Sequence, residues 1–185
     1  MTTDVQTAQD DYRARIQVIH RELGVPLDYE TRFQLPLRME ADQLTPIGKD
    51  VYGRLQQLAP RAAEHWRVMQ VRAQDDQVTL LVVSAFRSVD YQRDLMARKL
   101  AAGRPIEEIL KVNAAPGYSE HHTGCALDLA AAGYAPLETN FETTDAFAWL
   151  LEHASRFGFR LSYPRDNRHG MVYEPWHWAY LKDKS

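Results

Sequence analysis

The chain has 185 residues, of which 45% are hydrophobic, which is enough for one compact domain over residues 1–185 and too few for two large ones. Its 22 basic and 25 acidic residues give a net charge of -3, so no overall positive field favours binding to nucleic acid. The single cysteine, Cys125, excludes an internal disulfide framework and a cysteine-rich zinc site. Any metal must therefore be held by histidine and carboxylate.

The start of the sequence, MTTDVQ, has neither the basic segment nor the apolar segment of a secretory leader. No later run approaches the roughly 18 apolar residues of a membrane-spanning helix. We therefore expect a cytoplasmic protein without a membrane partner, or a periplasmic one if a leader has been removed from this sequence.

The N-terminal region, residues 1–75, carries apolar residues at helical spacing. This pattern predicts a first helix over residues 5–23 that stops at Gly24. Thr45 followed by Pro46 is typical of a helix start and predicts a second helix, which Pro60 breaks or kinks. The apolar residues expected to face the core in this region are Ile47, Val51, Leu55, Leu58, Trp66, Met69 and Val71.

The second region, residues 76–183, mixes strand and helix signals. Residues 78–86 are β-branched and apolar, which is typical of a buried strand, and Ser88 is a good N-cap for a helix over residues 89–101. The further predicted elements are a helix at 106–112, a helix at 143–157 with Phe147, Leu150, Leu151 and Ala154 inward, and strands at 159–163 and 171–181. The order of elements predicts an α+β domain.

The segment 119–128, with the sequence SEHHTGCALD, carries the first candidate metal ligands. If residues 125–130 form a strand, the period of two places Asp128 between the small side chains of Ala126 and Ala130, which leaves room for an ion. His121 lies seven positions earlier, and Gly124 can supply a turn that brings its imidazole back over Asp128. The spacing is compatible with shared ligation of one ion.

The segment 174–178, with the sequence EPWHW, carries the rest of the candidate site. Glu174 and His177 would point to opposite faces of a regular strand, but a break at Pro175 lets both converge. We assign His121, Asp128 and His177 as three ligands of Zn²⁺, with an open fourth position. Glu174 is then the general base that takes a proton from water and passes it to the leaving amine.

Three further polar residues lie near these segments in the sequence. Arg87, at the end of a predicted strand, could stabilise the oxyanion that forms at a peptide carbonyl, or it could form a surface salt bridge. Gln92 and Ser119 are candidate hydrogen-bonding groups for a substrate, and either could equally be an ordinary polar residue. His122 is interpreted as a structural residue beside the ligand.

The combined motifs resemble a known family. The pattern SxHxxGxAxD at 119–128, the pattern ExxHW at 174–178 and the sequence SAFRS at 84–88 followed by Tyr91 and Gln92 are similar to the VanY-type D-alanyl-D-alanine carboxypeptidases and their LD-carboxypeptidase relatives. The resemblance covers about residues 80–180. It implies a LAS metallopeptidase fold, with a small central antiparallel sheet flanked by helices, and a catalytic core at 76–183 with an extra helical region at 1–75.

The resemblance also implies a function. It predicts a zinc peptidase that removes the C-terminal D-alanine from peptidoglycan stem peptides, as free peptides or muropeptides, with Arg87, Gln92 and Ser119 contacting the substrate or stabilising its transition state. A cytoplasmic location favours LD-carboxypeptidase activity on tetrapeptides in cell-wall recycling, since cleavage of D-Ala-D-Ala there would destroy the cell's own pentapeptide precursors. DD-carboxypeptidase activity is the alternative.

Two non-catalytic classes stay open at this point. A peptidoglycan-binding module would keep the fold and the metal without turnover, but the loss of Glu174 that would mark it is not seen. A structural zinc domain would need a fourth protein ligand, for which His122 or Cys125 would have to serve.

Overall fold

The computed structural model describes residues 2–181. The six helices of this part of the chain are α1 (Thr2–Leu23), α2 (Tyr29–Phe33), α3 (Pro60–Asp75), α4 (Val89–Ala101), α5 (Ile106–Val112) and α6 (Asp145–His153). The six strands are β1 (Thr45–Lys49), β2 (Leu55–Leu58), β3 (Leu81–Ser84), β4 (Ala126–Ala130), β5 (Phe159–Leu161) and β6 (His177–Tyr180). Short 3-10 turns lie at Glu120–Thr123, Thr139–Thr143 and Ala154–Phe157.

A four-stranded antiparallel sheet with the order β3-β4-β6-β5 forms the centre of the molecule. Its middle strands place Asp128 opposite Ser84 on one side and opposite His177 on the other. The predicted alternation along β4 is observed, since Cys125, Leu127 and Leu129 all enter the apolar core. The predicted α+β fold, with a small antiparallel sheet flanked by helices, is confirmed.

Two separate apolar cores support the sheet. The first packs α3 and α6 against it, with Trp66, Met69 and Leu150 fully buried. The second joins α1 and α2 to α4 and α5, and its members include Ile16, Tyr29 and Met96. The N-terminal helices therefore cover α4 and α5, which flank the region that follows β3.

The helix predicted to begin at Thr45 is wrong, because β1 and β2 form an antiparallel hairpin there. Gly48 and Gly53 have φ values of +105° and +79°, which a helix does not allow, and Leu55 is 74% exposed instead of facing the core. Pro60 does not break a helix but begins α3, where its missing N–H costs nothing. The N-terminal region therefore contains the three helices α1, α2 and α3, with an irregular segment at 34–44 and this hairpin between α2 and α3.

Most other elements agree with the sequence analysis. Helix α4 has the predicted bounds, and the Ser88 hydroxyl accepts the predicted capping hydrogen bond from the Tyr91 N–H. The predicted helix at 143–157 is α6 followed by a 3-10 turn. The inward positions predicted for Val71 and Leu151 are wrong, since both are more than half exposed. Across residues 2–181, no helix is long and apolar enough to cross a membrane.

Candidate metal centre

The register of the central strands brings two candidate ligands together. Asp128 on β4 and His177 at the start of β6 are paired across the sheet, and Asp128 Oδ1 lies 3.0 Å from His177 Nδ1. His121 reaches the same point from the 3-10 turn before β4. One ligand atom from each of His121, Asp128 and His177 lies within 4.8 Å of the others, and all three residues are buried.

Main-chain groups fix the position of His121. The Ser119 hydroxyl accepts a hydrogen bond of 3.3 Å from the His121 N–H at the start of the turn. Gly124 ends the turn with a φ of +65°, the backbone conformation that the sequence analysis expected of it. The His121 ring donates from Nδ1 to the Ala85 carbonyl at 2.5 Å, so its Nε2 carries a lone pair toward Asp128.

Side-chain carboxylates fix the position of His177. Its Nε2 lies 3.0 Å from Glu120 Oε2, and its Nδ1 faces Asp128. Burial alone would lower the pKa of His177, but hydrogen bonds and the charges of these two carboxylates raise it to about 10. Burial would raise the pKa of Glu120, but His177 lowers it to about 2, so Glu120 is ionised and His177 donates from Nε2.

These hydrogen bonds leave the three inner atoms suited to a cation. His121 Nε2 is buried without a hydrogen-bond partner in the described part of the chain, and it lies 3.3 Å from Asp128 Oδ2. Burial, together with the charge of Arg87, lowers the pKa of His121 to about 4, so this ring is neutral near pH 7. His121 Nε2 and the Asp128 carboxylate therefore present lone pairs at one point, and His177 Nδ1 adds a third donor there once it gives up its proton. This donor set suits Zn²⁺.

Glu174 lies beside the three candidate ligands. Its Oε2 is 4.0 Å from His177 Nδ1, and the carboxylate is buried. The His177 N–H donates to the Glu174 carbonyl at 3.1 Å, which closes a turn through Pro175, and this turn is the break that the sequence analysis expected. Burial raises the pKa of Glu174 to about 7, with Asp128 acting in the same direction, so the carboxylate can both accept and release a proton near neutral pH.

The other predicted site residues lie at different distances from this centre. Arg87 Nη2 is 3.9 Å from Asp128 Oδ2, and both Arg87 and Ser119 line a pocket of about 410 Å³ that opens onto the three candidate ligands. Gln92 is fully buried and donates to the Ala114 carbonyl at 2.8 Å. Ala114 lines the pocket, so Gln92 supports a wall of it from behind.

The neighbouring histidine, His122, forms hydrogen bonds with the main chain and does not face the metal centre. Its Nδ1 donates to the Arg87 carbonyl at 2.6 Å, and its Nε2 accepts from the Gly117 N–H at 3.1 Å. Both ring nitrogens are thus used by the main chain, which agrees with the interpretation of His122 as a structural residue.

Glu120 is the functional residue that sequence reasoning missed. It orients His177 across 57 positions of the chain, and Arg38 and Arg160 lie 3.5 and 3.8 Å from its other oxygen. A glutamate directly before a candidate ligand was the available signal, because the free nitrogen of a metal-binding histidine usually donates to a carboxylate or a carbonyl.

Comparisons with known proteins identify the family of this chain. A family model described as VanY: D-alanyl-D-alanine carboxypeptidase matches residues 55–183. A D-alanyl-D-alanine carboxypeptidase of Enterococcus faecalis is 32% identical over 119 residues, which take in 59% of this chain and 42% of that protein. The chain thus spans less than half the length of this curated relative.

Two solved structures resemble the fold. The LD-carboxypeptidase LdcB, described for its recognition of peptidoglycan, has a TM-score of 0.70 and 27% identity, with 80% of this chain and 72% of that chain covered. A Glu-to-Ala variant of a vancomycin-resistance D,D-pentapeptidase, VanY, in complex with Zn(II), has a TM-score of 0.61 and 26% identity, with 80% and 83% covered.

Proposed function

Because the chain belongs to the VanY family of D-alanyl-D-alanine carboxypeptidases, as its sequence motifs indicated, we propose that it is a zinc-dependent carboxypeptidase of peptidoglycan stem peptides. The observation that carries this proposal is the buried cluster of His121, Asp128 and His177, with Glu174 beside it in an open pocket. The LAS fold, which this chain shares with LdcB and VanY, is consistent with it.

His121, Asp128 and His177 would hold the zinc ion. Three protein ligands and an open position are typical of catalytic zinc, whereas a structural site has four protein ligands. His122 and Cys125 do not complete such a set, because His122 is bonded to the main chain and Cys125 belongs to the apolar core. Zinc, when bound, supplies a Lewis acid that polarises a carbonyl and lowers the pKa of water.

Four residues of the chain would carry out the other roles in the reaction. Glu174, with a pKa near 7, accepts a proton from the attacking water and holds it until the leaving amine takes it. Arg87, whose Nη2 lies 3.9 Å from Asp128 Oδ2, stabilises the negative charge that develops on the scissile carbonyl oxygen. Ser119 lines the pocket and offers its hydroxyl to the peptide. Gln92 holds the Ala114 wall in place.

We propose the LD bond of tetrapeptides as the first substrate, with the protein acting on recycled peptides in the cytoplasm. The similarity to LdcB, an LD-carboxypeptidase, supports this choice. The DD bond of pentapeptides is the second candidate, and the family description together with the Enterococcus relative supports it. A DD enzyme would require export, because cleavage of D-Ala-D-Ala in the cytoplasm would destroy wall precursors.

The experiment is incubation of the zinc-loaded protein with a stem tetrapeptide and a pentapeptide, with the released D-alanine measured for each. Release from the tetrapeptide alone supports the LD assignment, and release from the pentapeptide alone replaces it with the DD assignment. Binding of both peptides without release would contradict a catalytic role and indicate a peptidoglycan-binding module. Fractionation of cells tests the proposed compartment separately.

A further inference from the structure

We propose that Lys99 and Arg104 form a subsite that binds a carboxylate of the peptide, apart from the metal centre in the same pocket. The proposal rests on the proposed function, since it concerns the substrate of that site. Both residues line the pocket that contains His121, Asp128 and His177. Neither residue belongs to a motif that the sequence analysis used.

Lys99 is a cation that forms no ion pair with an acidic residue of the described part of the chain, and the charge of Glu174 acts on it only from a distance. It lies in the last turn of α4, is partly buried, and donates from Nζ to Asn113 Oδ1, a neutral acceptor that also lines the pocket. Burial and the positive charges of Arg104 and Arg87 lower the pKa of Lys99 by more than the charge of Glu174 raises it. A partly desolvated ammonium group among other cations gains most from an incoming anion.

Arg104 reaches the same place through the turn that follows α4. Gly103 has a φ of +82°, and the Arg104 N–H donates to the Lys99 carbonyl at 3.1 Å, so the chain folds back on the end of the helix. Arg104 also forms no ion pair with any described acidic residue. Its guanidinium can bind both oxygens of a carboxylate, which is the geometry that arginine favours.

The balance of charges in the pocket indicates which ligand group Lys99 and Arg104 would bind. Its basic residues are Arg87, Lys99 and Arg104, and its acidic residues are Asp128, Glu138 and Glu174. Arg87 lies near Asp128, and a bound Zn²⁺ would add two positive charges to a set that is otherwise balanced. A peptide with two carboxylates therefore fits this pocket better than a peptide with one.

Two carboxylates of a stem peptide lie next to the scissile bond and can occupy this subsite. One is the carboxylate at its C-terminus, and the other is a side-chain carboxylate on the residue before the scissile bond, as in a diaminopimelate residue. Both sources offer the same chemistry to Lys99 and Arg104. The test must therefore use peptides in which each carboxylate is blocked separately.

The experiment measures KM for D-alanine release by the zinc-loaded protein, and Kd by calorimetry in a Glu174→Gln background that slows turnover. The peptides are a diaminopimelate tetrapeptide, the same peptide with an amidated side chain, and, for Kd alone, the same peptide with an amidated C-terminus. The variants are Lys99→Gln and Arg104→Gln, with Lys99→Arg as the conservative variant. Arg98→Gln is the matched control, because it removes one charge from the same helix outside the pocket.

We expect each glutamine variant to raise KM and Kd of the unblocked peptide roughly tenfold, as for the loss of one charge-assisted hydrogen bond, with kcat little changed. Lys99→Arg should restore binding, and Arg98→Gln should have no effect. If blocking the side chain abolishes the difference between variant and wild type, the subsite binds the side-chain carboxylate. If blocking the C-terminus abolishes it, the subsite binds the terminal carboxylate.

Unchanged KM and Kd for all peptides, or an equal loss for every peptide including the blocked ones, would overturn the subsite while D-alanine release still supported the proposed function. A wild-type protein that released no D-alanine, but whose peptide affinity depended on Lys99 and Arg104, would contradict the proposed function and support the subsite. The two proposals can therefore fail independently.

Discussion

The two segments that build the metal centre hold their histidines in different ways. In segment 119–128, His121 donates to a main-chain carbonyl, and Asp128 lies in a strand that is paired on both sides. In segment 174–177, only the last residue is in a strand, and His177 is held by the carboxylates of Glu120 and Asp128. Main-chain bonds therefore position one histidine, and charges position the other.

The two kinds of positioning also give the two histidines different protonation states. Burial next to a neutral carbonyl keeps His121 unprotonated, whereas two carboxylates favour the charged form of His177. Changes to the main-chain bonds around His121 should therefore act on folding and ligand placement. Changes around segment 174–177 should act on proton transfer and on the pH dependence of metal binding.

The largest effect is expected for Glu174→Gln, which keeps the shape of the side chain but cannot accept a proton. We expect kcat for D-alanine release to fall roughly a thousandfold, as for the loss of a general base. Bound zinc, measured by atomic absorption, should remain at the wild-type level because Glu174 is not one of the three assigned ligands. Undiminished release of D-alanine would contradict the assignment of Glu174 as the base.

The second-largest effect is expected for a change in the turn whose main-chain bonds position His121. An alanine at Gly124 would adopt a left-handed backbone and place its Cβ 2.7 Å from the Ala59 nitrogen. We expect Gly124→Ala to lower the free energy of unfolding by about 2 kcal/mol or more, measured by urea denaturation. The matched control is Gly133→Ala, which has a φ of +84° but no atom within 4 Å of the added Cβ. Equal losses in the two variants would show that the close contact at Gly124 has no cost.

A smaller effect is expected for changes to Glu120, one of the carboxylates that position His177. Glu120→Gln retains an acceptor for His177 Nε2 but removes the negative charge, so zinc affinity should fall about tenfold, and by up to about a hundredfold in Glu120→Ala. Competition with a chelator measures this affinity. Glu142→Gln is the control, since it removes the same charge from an exposed ion pair with Arg165. Wild-type affinity in both Glu120 variants would mean that His177 needs no oriented acceptor.

The smallest effect is expected in the number of protons that the protein releases when it binds zinc. The pKa of His177 is raised to about 10, so this ring is protonated at pH 8, whereas His121, with a pKa of about 4, is already neutral. Zinc binding should therefore release at least about one proton at pH 8, and its affinity should rise at least about tenfold per pH unit between roughly pH 7.5 and 9. Calorimetry in buffers of different ionisation enthalpy measures the proton. An affinity independent of pH over this range would contradict the charged state of His177.

The sequence predicted the centre better than its surroundings. His121 and Asp128 lie in one short segment, and the proline in segment 174–177 marked the turn that brings Glu174 toward His177, so local rules were sufficient. Glu120 and Lys99 were missed because their importance depends on groups far along the chain, namely His177 for Glu120 and the pocket wall for Lys99. Spacing within a segment does not report such contacts.

The hairpin of β1 and β2 was missed for a different reason. Thr45 and Pro46 suit the start of a helix, but the same residues also occur at the start of an edge strand. The glycines at 48 and 53, both with positive φ, were the competing signal, and they mark a bulge and a turn. Tertiary pairing decided between two readings that the local sequence allowed.

The second apolar core has a consequence for anyone who shortens the gene to the boundary of the family match. That match begins at residue 55, yet α1 and α2 bury their apolar faces against α4 and α5, and the Ala41 N–H donates to the His122 carbonyl beside the metal centre. A protein trimmed at residue 55 would expose Met96 and Tyr118 to water, and the turn at His121 would lose the hydrogen bond from the Ala41 N–H. Residues 2–54 are thus an integral part of this domain, and recombinant versions should retain them.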